Sequence, residues 1–218
     1  MEISTSILNV KEENIMQTIY NLEVANTDYF HIDVMDGRFV KNDTSEMMRK
    51  YCEYLNQITN LPLDVHLMVE NINEYIDSYL IFNPNIITFH YEACKNSEEV
   101  KKYIMNIKEN NCKVGLAIKP NTNIEEIEEF LPYINLLLLM SVEPGKGGQE
   151  FIENTLEKIK IAKNKIDSLK LETDIEVDGG INIENIKKIK DSMATIAVVG
   201  TAIINSKDYK YTIKKLKE

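Results

Sequence analysis

The sequence predicts an α/β protein: one (β/α)8 TIM barrel with a parallel eight-stranded core, running as a single domain over residues 1–218. Three observations predict it. Short apolar segments alternate strictly with longer amphipathic ones. There are eight such pairs, and 218 residues over eight pairs is about 27 each, close to a minimal strand–helix–strand repeat. The signature of the rival open doubly wound sheet, GxGxxG after the first strand, is missing; Ser6-Ile7-Leu8-Asn9 stands there instead.

Each pair is a strand followed by a helix. The segments are Ile3–Leu8 with Asn14–Ala25, Tyr29–Val34 with Thr44–Gln57, Leu63–Met68 with Ile72–Phe82, and Asn85–His90 with Ser97–Asn110. Then come Lys113–Ile118 with Ile124–Leu131, Asn135–Ser141 with Glu150–Leu169 (the longest expected helix), Asp174–Asp178 with Ile183–Asp191, and Thr195–Val199 with a closing helix at Asp208–Leu216. The strands are rich in Val, Ile and Leu, as strands covered on both faces require. No composition shift, Gly/Ser linker or low-complexity segment divides the chain.

Composition narrows the partners. Hydrophobic residues make up 44% and charged residues 28%, an ordinary globular balance. A net charge of −10 argues against nucleic acid and against an anionic membrane as partners. An anionic substrate must therefore be held by local groups. Cys52, Cys94 and Cys112 are odd in number and form no CxxC pair, so a disulfide framework or thiolate zinc site is not expected and a reducing cytoplasmic compartment fits. Met1 to Leu8 shows no basic segment leading into an apolar run, so no signal peptide is expected. The apolar run around Leu136–Met140 is too short to span a bilayer.

In a (β/α)8 barrel the chemistry sits at the carboxyl ends of the strands. All three histidines, His31, His66 and His90, fall late in strands two, three and four. In the second strand His31 and Asp33 share one face, while Phe30, Ile32 and Val34 take the other. The apolar set should meet the helices, leaving the polar pair inside. The third strand repeats the pattern with Asp64 and His66, the seventh with Glu176 and Asp178. Burying imidazoles and carboxylates together is costly unless they pair or bind a metal. Two of each, His31, Asp33, His66 and Asp178, suit one borderline divalent ion such as Zn²⁺, Mn²⁺, Fe²⁺ or Co²⁺. Without metal they would form a buried salt-bridge network. Asp64 and Glu176, one layer deeper, offer an acceptor for a ligating His or, equally, a structural ion pair.

The chain has only eight glycines, and several cluster at strand ends: Gly145, Gly147 and Gly148 after strand six, Gly179-Gly180 after strand seven, Gly200 before Thr201 after strand eight. Any one pair reads as a turn. Three successive strand ends read as a phosphate site, because glycine lets backbone N–H groups approach an anion closely. Lys146 reads by default as a solvated lysine, with electrostatic assistance to the phosphate as the alternative.

Taken together these segments resemble the ribulose-phosphate 3-epimerase family. The matching runs are Ser6-Ile7-Leu8, His31-Ile-Asp33-Val-Met-Asp36-Gly37, Asp64-Val-His66-Leu-Met68, Met140 through Gln149, Glu176 through Gly180, and Gly200-Thr201. The resemblance implies metal-dependent epimerisation at C3 of D-ribulose 5-phosphate to D-xylulose 5-phosphate through a metal-stabilised enediolate. It implies one divalent ion per subunit, Zn²⁺ first and Fe²⁺, Mn²⁺ or Co²⁺ as alternatives, held by His31, Asp33, His66 and Asp178. It implies Asp33 and Asp178 as the catalytic acid/base pair and Ser6, His66 and Asp178 as substrate contacts. Phosphate contacts would come from Gly145, Lys146, Gly147, Gly148, Gly179, Gly180, Gly200 and Thr201, with Met35, Met68 and Met140 as apolar walls. A homo-oligomer is also implied. The chain departs from the family pattern at Asn9-Val10, Lys41, Asp43–Met48 and Lys146. Competing readings are an allulose-6-phosphate 3-epimerase, a decarboxylase or aldolase barrel with a strand-end lysine, and a non-catalytic sugar-phosphate-binding barrel.

Overall fold

The computed structural model describes residues 1–218 and forms a closed barrel of eight parallel strands in chain order. The strands are β1 (Glu2–Ser6), β2 (Tyr29–Met35), β3 (Leu63–Met68), β4 (Ile86–His90), β5 (Lys113–Ile118), β6 (Leu136–Met140), β7 (Asp174–Asp178) and β8 (Ile196–Val198). The helices are α1 (Ile15–Val24), α2 (Ser45–Ile58), α3 (Ile72–Leu80), α4 (Ser97–Glu109), α5 (Thr155–Ser168), α6 (Ile186–Asp191), α7 (Thr201–Ile204) and α8 (Tyr209–Lys217). None is long and apolar enough to cross a membrane.

Strand parity sorts side chains into two layers. The outward Phe30, Ile32 and Val34 of β2, and Val65 and Leu67 of β3, join a single core of 53 buried residues between barrel and helices. The helices meet it with stripes three and four residues apart: Met48, Tyr51, Cys52 and Leu55 on α2, and Val100, Tyr103, Ile104 and Ile107 on α4. The inward residues divide the barrel lumen into sectors. Ile86, Ala117, Leu136, Leu138, Met140, Val142 and Ile196 form a separate apolar cluster of 7. Ser4, Ser6, His31, Asp33, Asp64, His66, Thr88, His90 and Glu176 supply the polar sector, all buried. A close approach marks the wall between β4 and β5: a Cβ on Gly115 would stand 2.0 Å from Thr88 Oγ1.

Three helical expectations are corrected. Residues 124–131 form no α-helix but two 3₁₀ turns, Ile124–Glu126 and Glu128–Tyr133. The buried Ile124, Ile127 and Phe130 recur every third residue, the 3₁₀ period, and Pro132 removes an N–H that an α-helix would need. The helix expected over 150–169 begins only at Thr155 and, at 14 residues, equals α2. Its first residues instead pin the preceding loop, Ile152 N–H donating to Ser141 C=O at 2.9 Å. The helix expected from Ile183 begins at Ile186, because the Asn182 carboxamide takes the Glu184 and Asn185 N–H groups in a turn. The short α7 has no counterpart among the expected elements.

Candidate active site

Register brings the polar strand ends together. Asp33 pairs with His66 across β2–β3, His31 with Ser6 across β1–β2, and Met140 with Asp178 across β6–β7. His31, Asp33, His66 and Asp178 consequently offer four ligand atoms all within 4.8 Å of one another. Asp33 Oδ1 is 3.4 Å from both His31 Nε2 and His66 Nδ1, and His66 Nδ1 is 3.7 Å from Asp178 Oδ2. Asp33 Oδ2 accepts from the Ser6 hydroxyl at 2.6 Å.

The two facing imidazole nitrogens, His31 Nε2 and His66 Nδ1, are fully buried and make no hydrogen bond. Orphaned buried nitrogens are rare, and two of them converging with two carboxylates fit a divalent cation chemically. The remaining nitrogens are engaged. His31 Nδ1 meets Asp64 Oδ2 at 2.6 Å, and the same oxygen accepts from Ser4 Oγ at 2.7 Å. This is the acceptor expected from the deeper layer, and Asp64 rather than Glu176 supplies it. His66 Nε2 lies 2.9 Å from His90 Nε2, and His90 Nδ1 lies 3.2 Å from Glu92 Oε2. Glu92 Oε1 accepts from Lys119 N–H at 2.6 Å and from the Thr122 hydroxyl.

The electrostatics pull equivalent groups apart. Burial works against the charge on His31, but the Asp64 and Asp33 carboxylates outweigh it and hold the imidazole well above its ordinary pKa. Burial lowers His66. Burial also works against Asp33, yet the charge of His31 overcomes it and holds its carboxyl far below the usual range. Asp178 is pushed up to about 7 by burial and by the charge of Asp33.

Glu176 lies one layer below. It is fully buried, and burial together with the charge of the neighbouring Asp64 holds it well above its ordinary 4.5. Above 4.5 the folded protein retains a proton that the unfolded chain has lost. Stability is therefore greatest below that pH and falls as pH rises toward the folded value, by up to about 1.4 kcal/mol per unit. Glu176→Gln, a neutral group of the same shape, removes that part of the decline. The chelated variant is expected to unfold at a higher temperature than the parent near pH 8, and at a similar one near pH 4.5. An equal decline in both proteins would show that Glu176 is ionised in the fold.

The cleft above this cluster has a volume of about 260 Å³. Ser6, Asp33, Met35, Met68, Met140 and Asp178 form its floor, whereas His31 and His66 lie wholly buried behind it. All eight residues expected at the phosphate, Gly145 to Gly148 with Lys146, Gly179, Gly180, Gly200 and Thr201, also line it. Gly180 is left-handed (φ 65°), and a Cβ there would sit 2.5 Å from the Phe151 nitrogen. The glycine loop is pinned: Gln149 Nε2 donates to the Glu143 and Lys146 carbonyls at 2.7 and 2.9 Å, and Asn42 Nδ2 to the Gly145 carbonyl at 2.7 Å. The Ser141 hydroxyl lies 2.8 and 2.7 Å from the Asp178 and Gly179 carbonyls, tying the ends of β6 and β7 together.

Two lining or linking residues, Asn9 and Glu92, carry no expected role in the sequence. Asn9, whose amide reaches Thr201 Oγ1 at 3.3 Å, carries no motif. Glu92 lies past a strand end, two residues after His90, and that His-x-Glu spacing was the available signal. His90 stood out only by position.

A closed parallel barrel with carboxylates and imidazoles converging at its strand ends defines a (β/α)8-barrel enzyme. The family profile described as "Ribulose-phosphate 3 epimerase family" matches residues 2–204. A protein named ribulose-phosphate 3-epimerase from Buchnera aphidicola subsp. Baizongia pistaciae is 38% identical over 217 residues, covering 99% of this chain and 94% of that protein. Its namesakes from Bacillus subtilis and Escherichia coli K12 are each 36% identical, covering 100% and 99% of this chain and 98% and 94% of their own lengths. Among solved structures, a 3-hexulose-6-phosphate synthase superposes with TM-score 0.70 at 13% identity, covering 100% of this chain and 98% of its own. A structure titled KGPDC from Streptococcus mutans gives 0.72 at 10%, covering 99% and 95%. At such identities these two show the barrel alone. The chain belongs to the ribulose-phosphate 3-epimerase family, and it is an epimerase, an isomerase.

Proposed function

We propose that the protein interconverts D-ribulose 5-phosphate and D-xylulose 5-phosphate by inverting C3, a step of the pentose phosphate pathway, in the cytoplasm. One observation carries the reading: two carboxylates, Asp33 and Asp178, share the cleft floor with two unpartnered imidazole nitrogens behind them. Epimerisation beside a ketone needs a base on one face of the carbon and an acid on the other. Asp33 and Asp178, at the ends of β2 and β7, are the carboxylates that converge with the imidazoles, and each would take or return the C3 proton on its own face. Ser6, donating to Asp33, orients that carboxylate and stands within the cleft to meet a substrate hydroxyl. Gly145 to Gly148, Gly179, Gly180, Gly200 and Thr201 would hold the phosphate through backbone groups, with Lys146 as the cation of the rim. Met35, Met68 and Met140 wall the carbon chain and exclude water from the exchanging proton.

His31 through Nε2, His66 through Nδ1, Asp33 and Asp178 would hold one divalent ion, Zn²⁺ first and Fe²⁺, Mn²⁺ or Co²⁺ as alternatives. Such an ion supplies charge stabilisation for the negative oxygens that develop when C3 loses its proton. The cytoplasmic assignment is supported by three unpaired cysteines. The test is a coupled assay with ribulose 5-phosphate beside allulose 6-phosphate, on protein before and after chelation and with each metal restored. Metal-dependent formation of xylulose 5-phosphate at the higher kcat/KM supports the proposal. Preference for the hexulose phosphate would move the assignment to that substrate, and no turnover with either would leave a binding barrel.

A further inference from the structure

We propose that His90 and Glu92 form a positioning arm that fixes His66 in the tautomer with its bare Nδ1 turned toward Asp33 and Asp178. The inference rests on the reading that His66 Nδ1 is a metal ligand, and it names two residues that hold it so.

A buried chain of hydrogen bonds runs from Glu92 through His90 to His66. His66 and His90 are both fully buried, with their Nε2 atoms 2.9 Å apart. Only one proton fits between two nitrogens at that distance, so one ring donates and the other accepts. The far end of the chain decides which. Glu92 Oε1 already accepts from Lys119 N–H and the Thr122 hydroxyl, which leaves Oε2 as an acceptor facing His90 Nδ1 at 3.2 Å. His90 therefore carries its proton on Nδ1. A neutral His90 then has a bare Nε2 and accepts from His66 Nε2–H. A neutral His66 in turn has a bare Nδ1, the nitrogen that lies 3.4 Å from Asp33 and 3.7 Å from Asp178 without a hydrogen bond. The opposite direction would need a doubly protonated His90, a charge in a site with no exposure.

The arm is also shielded. The Phe39 ring packs against His90, tilted by 42° with centroids 5.0 Å apart, and the Lys119 ammonium stands 4.3 Å from the Phe39 centroid. Water is kept from the His90 edge and a cation is kept near it, and both oppose an extra proton on that ring. The other ligand histidine is set differently. His31 leans directly on the Asp64 carboxylate through Nδ1 and presents Nε2. The two imidazoles thus face the cluster through opposite nitrogens, and each needs its own outer partner to do so.

Glu92→Gln tests the arm by reversing it. The two donors at Oε1 keep the amide oxygen there, so its NH₂ group points at His90 Nδ1. His90 must then move its proton to Nε2, and His66 must move its own to Nδ1. Long-range ¹⁵N–¹H spectra of chelated protein read both tautomers directly. The parent protein is expected to show His66 protonated on Nε2, and the variant to show it on Nδ1. Zn²⁺ affinity, measured against a chromophoric chelator, should fall by about 10–100-fold, with the unfolding temperature of the chelated variant unchanged. Parent protein with His66 protonated on Nδ1 would overturn the inference without any variant. So would a variant that keeps both the parental tautomer and the parental affinity. A parent that shows the expected tautomer yet binds no Zn²⁺ would keep the arm and sink the metal site of the proposed function.

Discussion

Replacing Asp178 by Asn is expected to reduce kcat by about a thousandfold or more while the barrel still folds. The Asp178 carboxyl makes no hydrogen bond; His66 Nδ1 stands 3.7 Å from its Oδ2. Its backbone is held independently, its carbonyl accepting the Ser141 N–H at 2.8 Å with the Ser141 hydroxyl beside it. An isosteric neutral amide therefore leaves the fold intact, since burial and the Asp33 charge already work against the ionised carboxylate. It cannot take or return a proton, and positioned acid–base groups contribute about 10²–10⁴-fold. Asp33 remains in the variant and still serves one face. In D₂O the variant should exchange the C3 proton of one epimer without crossing to the other. A rate near that of the parent, with intact fold, would remove Asp178 from the chemistry.

Exhaustive chelation is expected to stop turnover and to lower thermal stability, both restored by Zn²⁺. Two buried imidazole nitrogens without partners and two carboxylates within 4.8 Å of them leave unpaired polar groups and like charges in the lumen. A cation bound only by the fold stabilises it by RT ln(1 + [M]/Kd), about 4 kcal/mol at a thousandfold excess over Kd. For a chain of this size that corresponds to roughly 8–16 °C in Tm, at about 2–4 °C per kcal/mol. His31→Ala should remove most of the Zn²⁺ response by deleting one ligand. If chelation changes neither turnover nor Tm, the four groups are a salt-bridge network and catalysis is carried by the carboxylates alone.

Much of the site was legible because a strand has a period of two. His31 with Asp33, Asp64 with His66, and Glu176 with Asp178 each sit two apart, so their shared inward face follows from the sequence. Eight strand–helix pairs then give a barrel, and the barrel places its strand ends around one mouth. The glycine runs were legible for a related reason, since backbone approach needs glycine wherever the strands stand. The 124–131 region departs from the expected helix because Ile124, Ile127 and Phe130 fit a helical stripe as well as a 3₁₀ one, and the local sequence separates the two only through Pro132.

The inward polar pairs, the order of the strands and the glycines at three successive strand ends were thus determined by the sequence alone, through rules that act within a few residues. Which groups touch was decided by the tertiary structure. Asp64 rather than Glu176 holds His31, and His90, on the next strand, holds His66. Distances between neighbouring strands depend on the stagger of the closed barrel. The nitrogen that a histidine presents depends on how its ring is turned by the packing around it. Neither quantity is encoded in any short stretch of chain, so both appear only once all eight strands have closed.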